Sequence, residues 1–114
     1  MTATLPDLRW QDVCAVVRLL PERGVAALLG DVQVAIFRTH LDEIYAIGNI
    51  DPFSGAAVLS RGIVGDRGGV PTVASPVYKE VFDLRTGRCL DNPDVSVPVY
   101  PVRVADGRLE IGIT

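Results

Sequence analysis

The sequence predicts an all-β fold of antiparallel strands, arranged as a sandwich or a partly open barrel. Short apolar segments alternate with glycine, proline and aspartate along the chain, and no segment keeps a helical period. The dipeptide Asp106-Gly107, a strong hairpin signal, separates two strand-like segments near the end of the chain. A length of 114 residues predicts one domain over residues 1–114, with a core over about residues 10–113.

The first half of the chain is predicted to form one strand followed by a meander. Residues 10–17 form the first predicted strand, and residues 19–24 form a turn region. Predicted strands over residues 25–29, 32–38 and 44–48 follow, joined by turns at Gly30-Asp31 and at residues 41–43. In the middle strand of the meander, Val32, Val34 and Ile36 share one face, because side chains alternate along a strand.

The second half is predicted to carry two loops on a small inserted sheet. Residues 49–75 are rich in glycine and proline and poor in periodicity, which predicts mainly loops before residue 72, with a flexible loop at residues 65–69. Strands are predicted again over residues 72–74 and 81–84, on either side of the segment 75–79. The predicted strands 99–104 and 108–113 then close the domain as a hairpin.

Charge and hydropathy exclude two classes of partner. The net charge is −3, and the eleven basic residues are scattered singly, whereas nucleic-acid binding requires a concentrated basic surface. The chain has no apolar run near the roughly 20 residues that a bilayer span requires. Residues 1–7 have the features of neither a signal peptide nor an anchor. We therefore expect a cytoplasmic protein that binds neither nucleic acid nor membrane.

The residues that could bind a soft metal are few and far apart. They are Cys14, Cys89 and the single histidine, His40, whereas a structural zinc site takes four such ligands. Both cysteines are interpreted as small packing residues, and His40 as an exposed turn residue that does not activate a serine. The sequence therefore predicts no metal site and no catalytic residue.

Two segments of the loop-rich half resemble the cluster-binding loops of Rieske iron–sulfur domains. The first contains Asp51-Pro52-Phe53, and the second contains Ser75-Pro76-Val77-Tyr78. Rieske loops have Cys-Pro-His and Cys-Pro-x-His at these places, and a closing segment like residues 100–107 completes the similarity. The resemblance covers residues 10 to 113 and implies a Rieske-like β-sandwich with a small inserted loop-bearing sheet.

The resemblance places the four cluster ligands on residues of the wrong chemistry. A Rieske centre uses two cysteine thiolates and two histidine imidazoles. The corresponding positions are Asp51, Phe53, Ser75 and Tyr78, and none of them is a normal ligand for this cluster. The spacing and both prolines are kept. We therefore expect the loops to keep their conformation and the chain to carry no cofactor.

Residues 48–53, 59–66 and 73–76 narrow the resemblance to the small subunits of assimilatory NAD(P)H-dependent nitrite reductases. In that family a large subunit carries FAD, an iron–sulfur cluster and sirohaem, and reduces nitrite to ammonia. The resemblance implies a non-redox accessory subunit that acts by contact with the large subunit and is inactive by itself. It does not distinguish NADH from NADPH, and self-association stays open.

The partner contact is expected at the loops 49–55 and 75–79. The candidate contact residues are Asn49, Pro52, Phe53, Pro76, Tyr78 and Lys79. The aromatic rings of Phe53 and Tyr78 either anchor the partner or fill the space of the cluster. Two other functions stay open. One is a ferredoxin-like electron carrier with an atypical [2Fe–2S] ligand set, and the other is a small-ligand binder that uses the vacated pocket.

Overall fold

The computed structural model describes residues 8–113, and residues 1–7, interpreted above as neither signal peptide nor anchor, lie outside the described part. It contains ten strands and two short 3-10 helices, at Val16–Arg18 and Leu59–Arg61. The strands are β1 (Arg9–Ala15), β2 (Arg23–Leu29), β3 (Val32–Arg38), β4 (Ile44–Gly48), β5 (Ile63–Arg67), β6 (Val70–Ala74), β7 (Val81–Asp83), β8 (Val99–Tyr100), β9 (Val102–Ala105) and β10 (Arg108–Ile113). Among residues 8–113, no helix has the length and apolar character needed to cross a membrane.

The strands form three antiparallel sheets, which confirms the predicted all-β class. The sheets have the orders β1-β10-β9, β2-β3-β4-β8 and β5-β6-β7. The four-stranded sheet contains the predicted meander, and β8 joins it beside β4. The third sheet is the predicted small insertion; the loop 75–79 connects its strands β6 and β7, and the loop 49–55 follows β4 of the four-stranded sheet.

The four-stranded sheet buries both of its faces. Val34 and Ile36 of β3 pack with Leu109 and Ile111 of β10 in one core. The alternate residue Phe37 and its neighbours pack in a second core with residues of the inserted sheet and its loops, namely Leu59, Val73, Phe82, Leu84, Cys89 and Val97. The predicted alternation of β3 is therefore correct, and each face of this strand supports a different part of the molecule.

Two predicted hairpin turns have the backbone that their sequences favour. Gly30, between β2 and β3, has a φ of 62°. Asp106 and Gly107, between β9 and β10, have φ angles of 53° and 75°. Positive φ at the first central position, as at Gly30, or at both, as at Asp106 and Gly107, gives turns whose twist matches that of the flanking strands, and this explains the success of these short-range signals.

Several predicted strand boundaries in the first sheet and in the four-stranded sheet are wrong. The first strand begins at Arg9 and ends at Ala15, where the chain turns into a 3-10 helix, and β2 starts two residues before the predicted position 25. The predicted strand 99–104 is two strands, because Pro101 has no N–H to donate to a sheet. On one side of this proline β8 pairs with β4, and on the other side β9 pairs with β10.

The inserted sheet contains a strand that was predicted as a loop. Residues 63–67 form β5 and pair with β6 throughout, so only Gly68 and Gly69 remain as the turn. The strand lies at the edge of its sheet, and four of its five residues are exposed. A strand with so little burial lacks the apolar alternation by which sequence patterns indicate strands.

Candidate functional site

The first loop, residues 49–55, leaves β4 and closes on itself through its backbone. The N–H of Asp51 donates to the carbonyl of Ala56 at 2.8 Å, and the N–H of Gly55 donates to the carbonyl of Asp51 at 2.7 Å. Asn49 is only 3% exposed, and its side-chain oxygen accepts a hydrogen bond from the N–H of Ser60 at 2.7 Å. Asn49 thus holds the loop against the following 3-10 helix, and its side chain is unavailable to a partner.

The second loop, residues 75–79, connects β6 to β7 and is closed in the same way. The N–H of Ser75 donates to the carbonyl of Glu80 at 2.9 Å, and the N–H of Lys79 donates to the carbonyl of Ser75 at 3.0 Å. Lys79 has a φ of 62°, an uncommon backbone for a side-chain-bearing residue. The turn presents Pro76, Val77 and Tyr78 at the surface.

A buried hydrogen bond between Asp51 and Ser75 joins the two loops. The hydroxyl of Ser75 donates to Oδ2 of Asp51 at 2.5 Å, and the two residues are 1% and 0% exposed. The second carboxylate oxygen, Oδ1, accepts the N–H of Phe53 at 2.8 Å. The carboxylate therefore has a donor on each oxygen, as a buried polar group requires.

The two aromatic residues at the former histidine positions lie in different environments. Phe53 is half-buried, packs against the core of the inserted sheet, and has its ring centroid 6.3 Å from that of Phe82, at an interplanar angle of 50°. Tyr78 is 60% exposed. Phe53 therefore has the position of a packing residue, whereas the ring of Tyr78 does not fill the space of a cluster.

The four residues do not fit a [2Fe–2S] cluster. Asp51 and Ser75 offer a carboxylate and a hydroxyl in place of thiolates, Phe53 offers no donor atom, and the phenol of Tyr78 is at the surface. The residues that could supply soft ligands lie elsewhere. Cys14 is in β1, Cys89 is in the core of the inserted sheet, and His40 is exposed and lies 3.3 Å from the carboxylate of Glu22.

Exposed side chains, most of them apolar, lie close in sequence to Asp51 and Ser75 in the two loops. We call this set the contact tip and define it as Ile50, Pro52, Pro76, Val77, Tyr78 and Lys79. Ile50 and Val77 are 46% and 44% exposed and were not predicted as contact residues. The sequence did contain a signal for them, because each is an apolar residue adjacent to a degenerate ligand or its proline in a polar loop.

Glu80, Cys89 and Asp91 form a second cluster of potential ligand atoms, all within 4.8 Å of one another. The oxygens of Asp91 accept the N–H of Val81 at 3.0 Å and the guanidinium of Arg67 at 3.2 Å. These contacts, with the backbone N–H as the larger cause, hold the pKa of Asp91 below its usual value. These hydrogen bonds connect β7 and β5 to the loop that contains Asp91, and they account for the position of its carboxylate.

One cavity of the molecule is lined by residues of neither the loop 49–55 nor the loop 75–79. A cavity of about 110 Å³ lies between the turn containing Thr39 and His40 and the β5–β6 hairpin. The direct contact of Asp51 with Ser75, by contrast, leaves no room for a ligand between their oxygens. The geometry therefore gives no support to a small-ligand site in the vacated cluster position.

An antiparallel fold with two closed loops on an inserted sheet, joined at their former ligand positions, defines a Rieske-like domain with a degenerate ligand set. A family model described as the Rieske-like [2Fe-2S] domain matches residues 9–112. The chain is 48% identical over 104 residues to the nitrite reductase (NADH) small subunit of Escherichia coli K12, covering 90% of this chain and 96% of that protein.

Two further relatives narrow the assignment. The crystal structure of a Mycobacterium tuberculosis protein assigned as an NADH-dependent nitrite reductase small subunit superposes with a TM-score of 0.92 at 53% identity, covering 96% and 98% of the two chains. The nitrite reductase [NAD(P)H] large subunit of Klebsiella oxytoca is 43% identical over 108 residues, which is 95% of this chain but 11% of that protein. The chain belongs to the Rieske-like domain family and, within it, to the nitrite reductase small subunits.

Proposed function

We propose that this chain is the accessory small subunit of a cytoplasmic NAD(P)H-dependent nitrite reductase and acts by contact with the large subunit. In this proposal FAD, the iron–sulfur cluster and sirohaem are bound by the large subunit, and the isolated chain neither carries electrons nor reduces nitrite. The observation that carries the non-redox role is the chemistry of Asp51, Ser75 and Phe53, whose side chains are committed to hydrogen bonding and packing.

The Klebsiella oxytoca relative supports the partner assignment. A protein named as a large subunit contains, within 11% of its length, a segment that is similar to almost the whole of this chain. In that protein the two parts are held together by the polypeptide. A separate chain must obtain the same proximity from a noncovalent interface, which requires a surface of its own.

The contact tip is the surface that we propose for this interface. Tyr78 is a large side chain that is 60% exposed, and aromatic residues of this kind dominate the energy of many interfaces. Ile50, Val77 and the two prolines are further exposed apolar residues of the same two loops, and Lys79, the single lysine of the chain, contributes a positive charge. Phe53 is assigned a supporting role beneath the tip, because its ring packs inward.

The experiment is a pull-down with the tagged chain from its native host grown on nitrite, followed by binding measurements with the purified large subunit. Recovery of a large flavin- and sirohaem-containing protein is expected. Tyr78→Ala should weaken binding at least about tenfold, as loss of an interface anchor does. The matched control is Val17→Ala, at an exposed apolar residue on the 3-10 helix after β1.

Three results would contradict the proposal. The partner assignment fails if the folded chain retains no such protein. The tip assignment fails if Tyr78→Ala and Val17→Ala bind like the unsubstituted chain. The non-redox role fails if the chain purified from its host absorbs visible light as a [2Fe–2S] protein does, which would favour the ferredoxin-like alternative.

A further inference from the structure

We infer that the Asp51–Ser75 hydrogen bond has replaced the metal as the link between the two loops, and that it holds the contact tip in its binding shape. In a Rieske domain each loop supplies ligands to one cluster, so the metal joins the loops. Here the two positions that correspond to the cysteines are the two partners of a buried hydrogen bond. The second half of the inference rests on the proposed function, and the first half does not.

The hydrogen bonding around the pair shows how the link reaches both backbones. Asp51 accepts the N–H of Phe53 in its own loop, and the hydroxyl oxygen of Ser75 accepts the N–H of Val77 at 3.3 Å in the other loop. The series of contacts therefore runs from the backbone of one loop, through two side chains, to the backbone of the other. Each end of the series lies next to residues of the contact tip.

The other hydrogen bonds of the loop 49–55 stay within the loop or go to residues 56–60 and to Gln33 of β3, and the backbone bonds of the loop 75–79 join Ser75 to Lys79 and Glu80. Within residues 8–113, the Asp51–Ser75 bond is the hydrogen bond that connects the loop 49–55 to the loop 75–79. The two residues are 24 positions apart in sequence, so their contact is not a consequence of local turn geometry. Removing either side chain should therefore release the loops from each other.

The chemistry of the pair suits a permanent link. A buried carboxylate with a hydroxyl donor at 2.5 Å forms a short, charge-assisted hydrogen bond. If the hydroxyl is deleted, Oδ2 of Asp51 is left buried without a donor, which is costly. The loops should then separate enough for water to reach the carboxylate, and this opening is the event that an experiment can detect.

Amide hydrogen exchange of the isolated chain tests the link without any partner. In Ser75→Ala, exchange at the amides of Phe53 and Gly55, which lie in the opposite loop, should accelerate by about 10- to 100-fold relative to amides of β3, the range expected for an unsatisfied buried group. Ser75→Thr, which keeps the hydroxyl, should restore the protection. Because Ser75→Ala removes a single oxygen atom, it is the variant least prone to misfold, and Asp51→Asn, which keeps the shape of the side chain, provides a second one.

The matched control is Ser54→Ala. Its hydroxyl accepts the N–H of Ala56 at 3.2 Å within the first loop and is exposed, so its loss should accelerate exchange at Ala56 alone. The link is overturned if Ser75→Ala accelerates exchange only in its own loop, or if both loops exchange no faster than in Ser54→Ala.

The same variants, measured for affinity to the large subunit, test the positioning role. Ser75→Ala should weaken binding although every side chain of the contact tip is intact, and Ser75→Thr should recover it. If Ser75→Ala opens the loops but binds normally while Tyr78→Ala does not, the positioning role is overturned and the proposed function stands. If the unsubstituted chain does not bind, the proposed function and the positioning role fall together, and the exchange result alone decides the link.

Discussion

Gly24 lies where β2 passes the 3-10 helix Leu59–Arg61, and it leaves no room for a side chain. A Cβ built at this position would overlap the carbonyl oxygen of Ser60 and lie 2.7 Å from a ring carbon of Phe37. Both neighbours are buried, and the first is backbone, so neither can move aside easily. Gly24 thereby allows the 3-10 helix that follows the first loop to pack directly against β2 of the four-stranded sheet.

We expect Gly24→Ala to lower the free energy of unfolding by about 1–3 kcal/mol, the usual cost of overpacking a core. Urea unfolding followed by circular dichroism measures it. The control is Gly65→Ala in β5, where a Cβ would meet only the hydroxyl of Thr72 at 3.5 Å. Equal stability of the two variants would show that the 3-10 helix can move away from β2.

The exposed carboxylate of Asp91 accepts hydrogen bonds from two strands of the inserted sheet, β5 and β7. The N–H of Val81, followed by the guanidinium of Arg67, lowers the pKa of Asp91 below its ordinary value of 3.8. A lowered pKa stabilises the fold above the unfolded-state value, and this contribution is lost as the pH falls through the folded-state value. Because the group is exposed and screened by solvent, the contribution should be below about 1 kcal/mol.

An NMR titration of the side-chain carboxyl groups tests this pH dependence. The midpoint of Asp91 should lie below pH 3.8, and Arg67→Gln should move it upward only in part, since the N–H of Val81 remains. In the unsubstituted chain the extra stability should persist at neutral pH and disappear in acid below that midpoint. A midpoint at or above 3.8 would contradict the contacts described.

At the scale of elements, the two loops keep the arrangement of a cluster site although its ligands are lost. The spacing Asp51-Pro52-Phe53 and Ser75-Pro76-Val77-Tyr78 is intact, and the side chains at the two former cysteine positions touch. We therefore expect the loss to be one of side-chain chemistry and not of backbone. This leads to a test in which only four side chains are changed.

We expect the combined variant Asp51→Cys, Phe53→His, Ser75→Cys and Tyr78→His to bind a [2Fe–2S] cluster when reconstituted with iron and sulfide, because it restores two thiolates and two imidazoles at the required positions. Visible absorption and iron content measure the outcome. The control carries the same changes except that Asp51 and Ser75 are retained, and it should stay colourless. A folded but colourless four-residue variant would show that the loops have lost the cluster geometry.

Sequence patterns predicted the strands whose faces are both buried or whose turns carry local signals. β3, β4 and β10 have the predicted bounds, because their alternation and their glycine turns are encoded within a few residues. β5 was missed because its residues are largely exposed, and the break at Pro101 was missed because apolar residues lie directly on both sides of the proline. Which sheet each half joins depends on partners distant in sequence.

At the scale of the whole molecule, the four-stranded sheet lies between two cores, one on each of its faces. Trp10, the single tryptophan, lies in β1 of the first sheet with Arg103 stacked 4.2 Å from its ring centre, whereas Phe37 packs on the opposite side of the molecule. If the chain is one domain, the two cores should unfold together, so destabilising one core must also destabilise the other.

Phe37→Ala should lower the free energy of unfolding by about 3–5 kcal/mol, as deletion of a fully buried ring does. Tryptophan fluorescence, which reports the first sheet, and far-ultraviolet circular dichroism should give coincident unfolding curves in this variant and in the unsubstituted chain. Separate transitions would mean that the inserted sheet unfolds independently and that the chain behaves as two units.

The sequence by itself determined the fold class, the meander, the two hairpin turns, the family and the degeneracy of the four ligand positions. All of these depend on residue identity and on spacing over a few positions. Only the tertiary structure decided that Asn49 is buried, that Phe53 packs inward while Tyr78 is exposed, and that Asp51 bonds to Ser75. The physical reason is that burial and hydrogen bonding between residues 24 positions apart are set by how the loops pack on the inserted sheet, which no local pattern encodes.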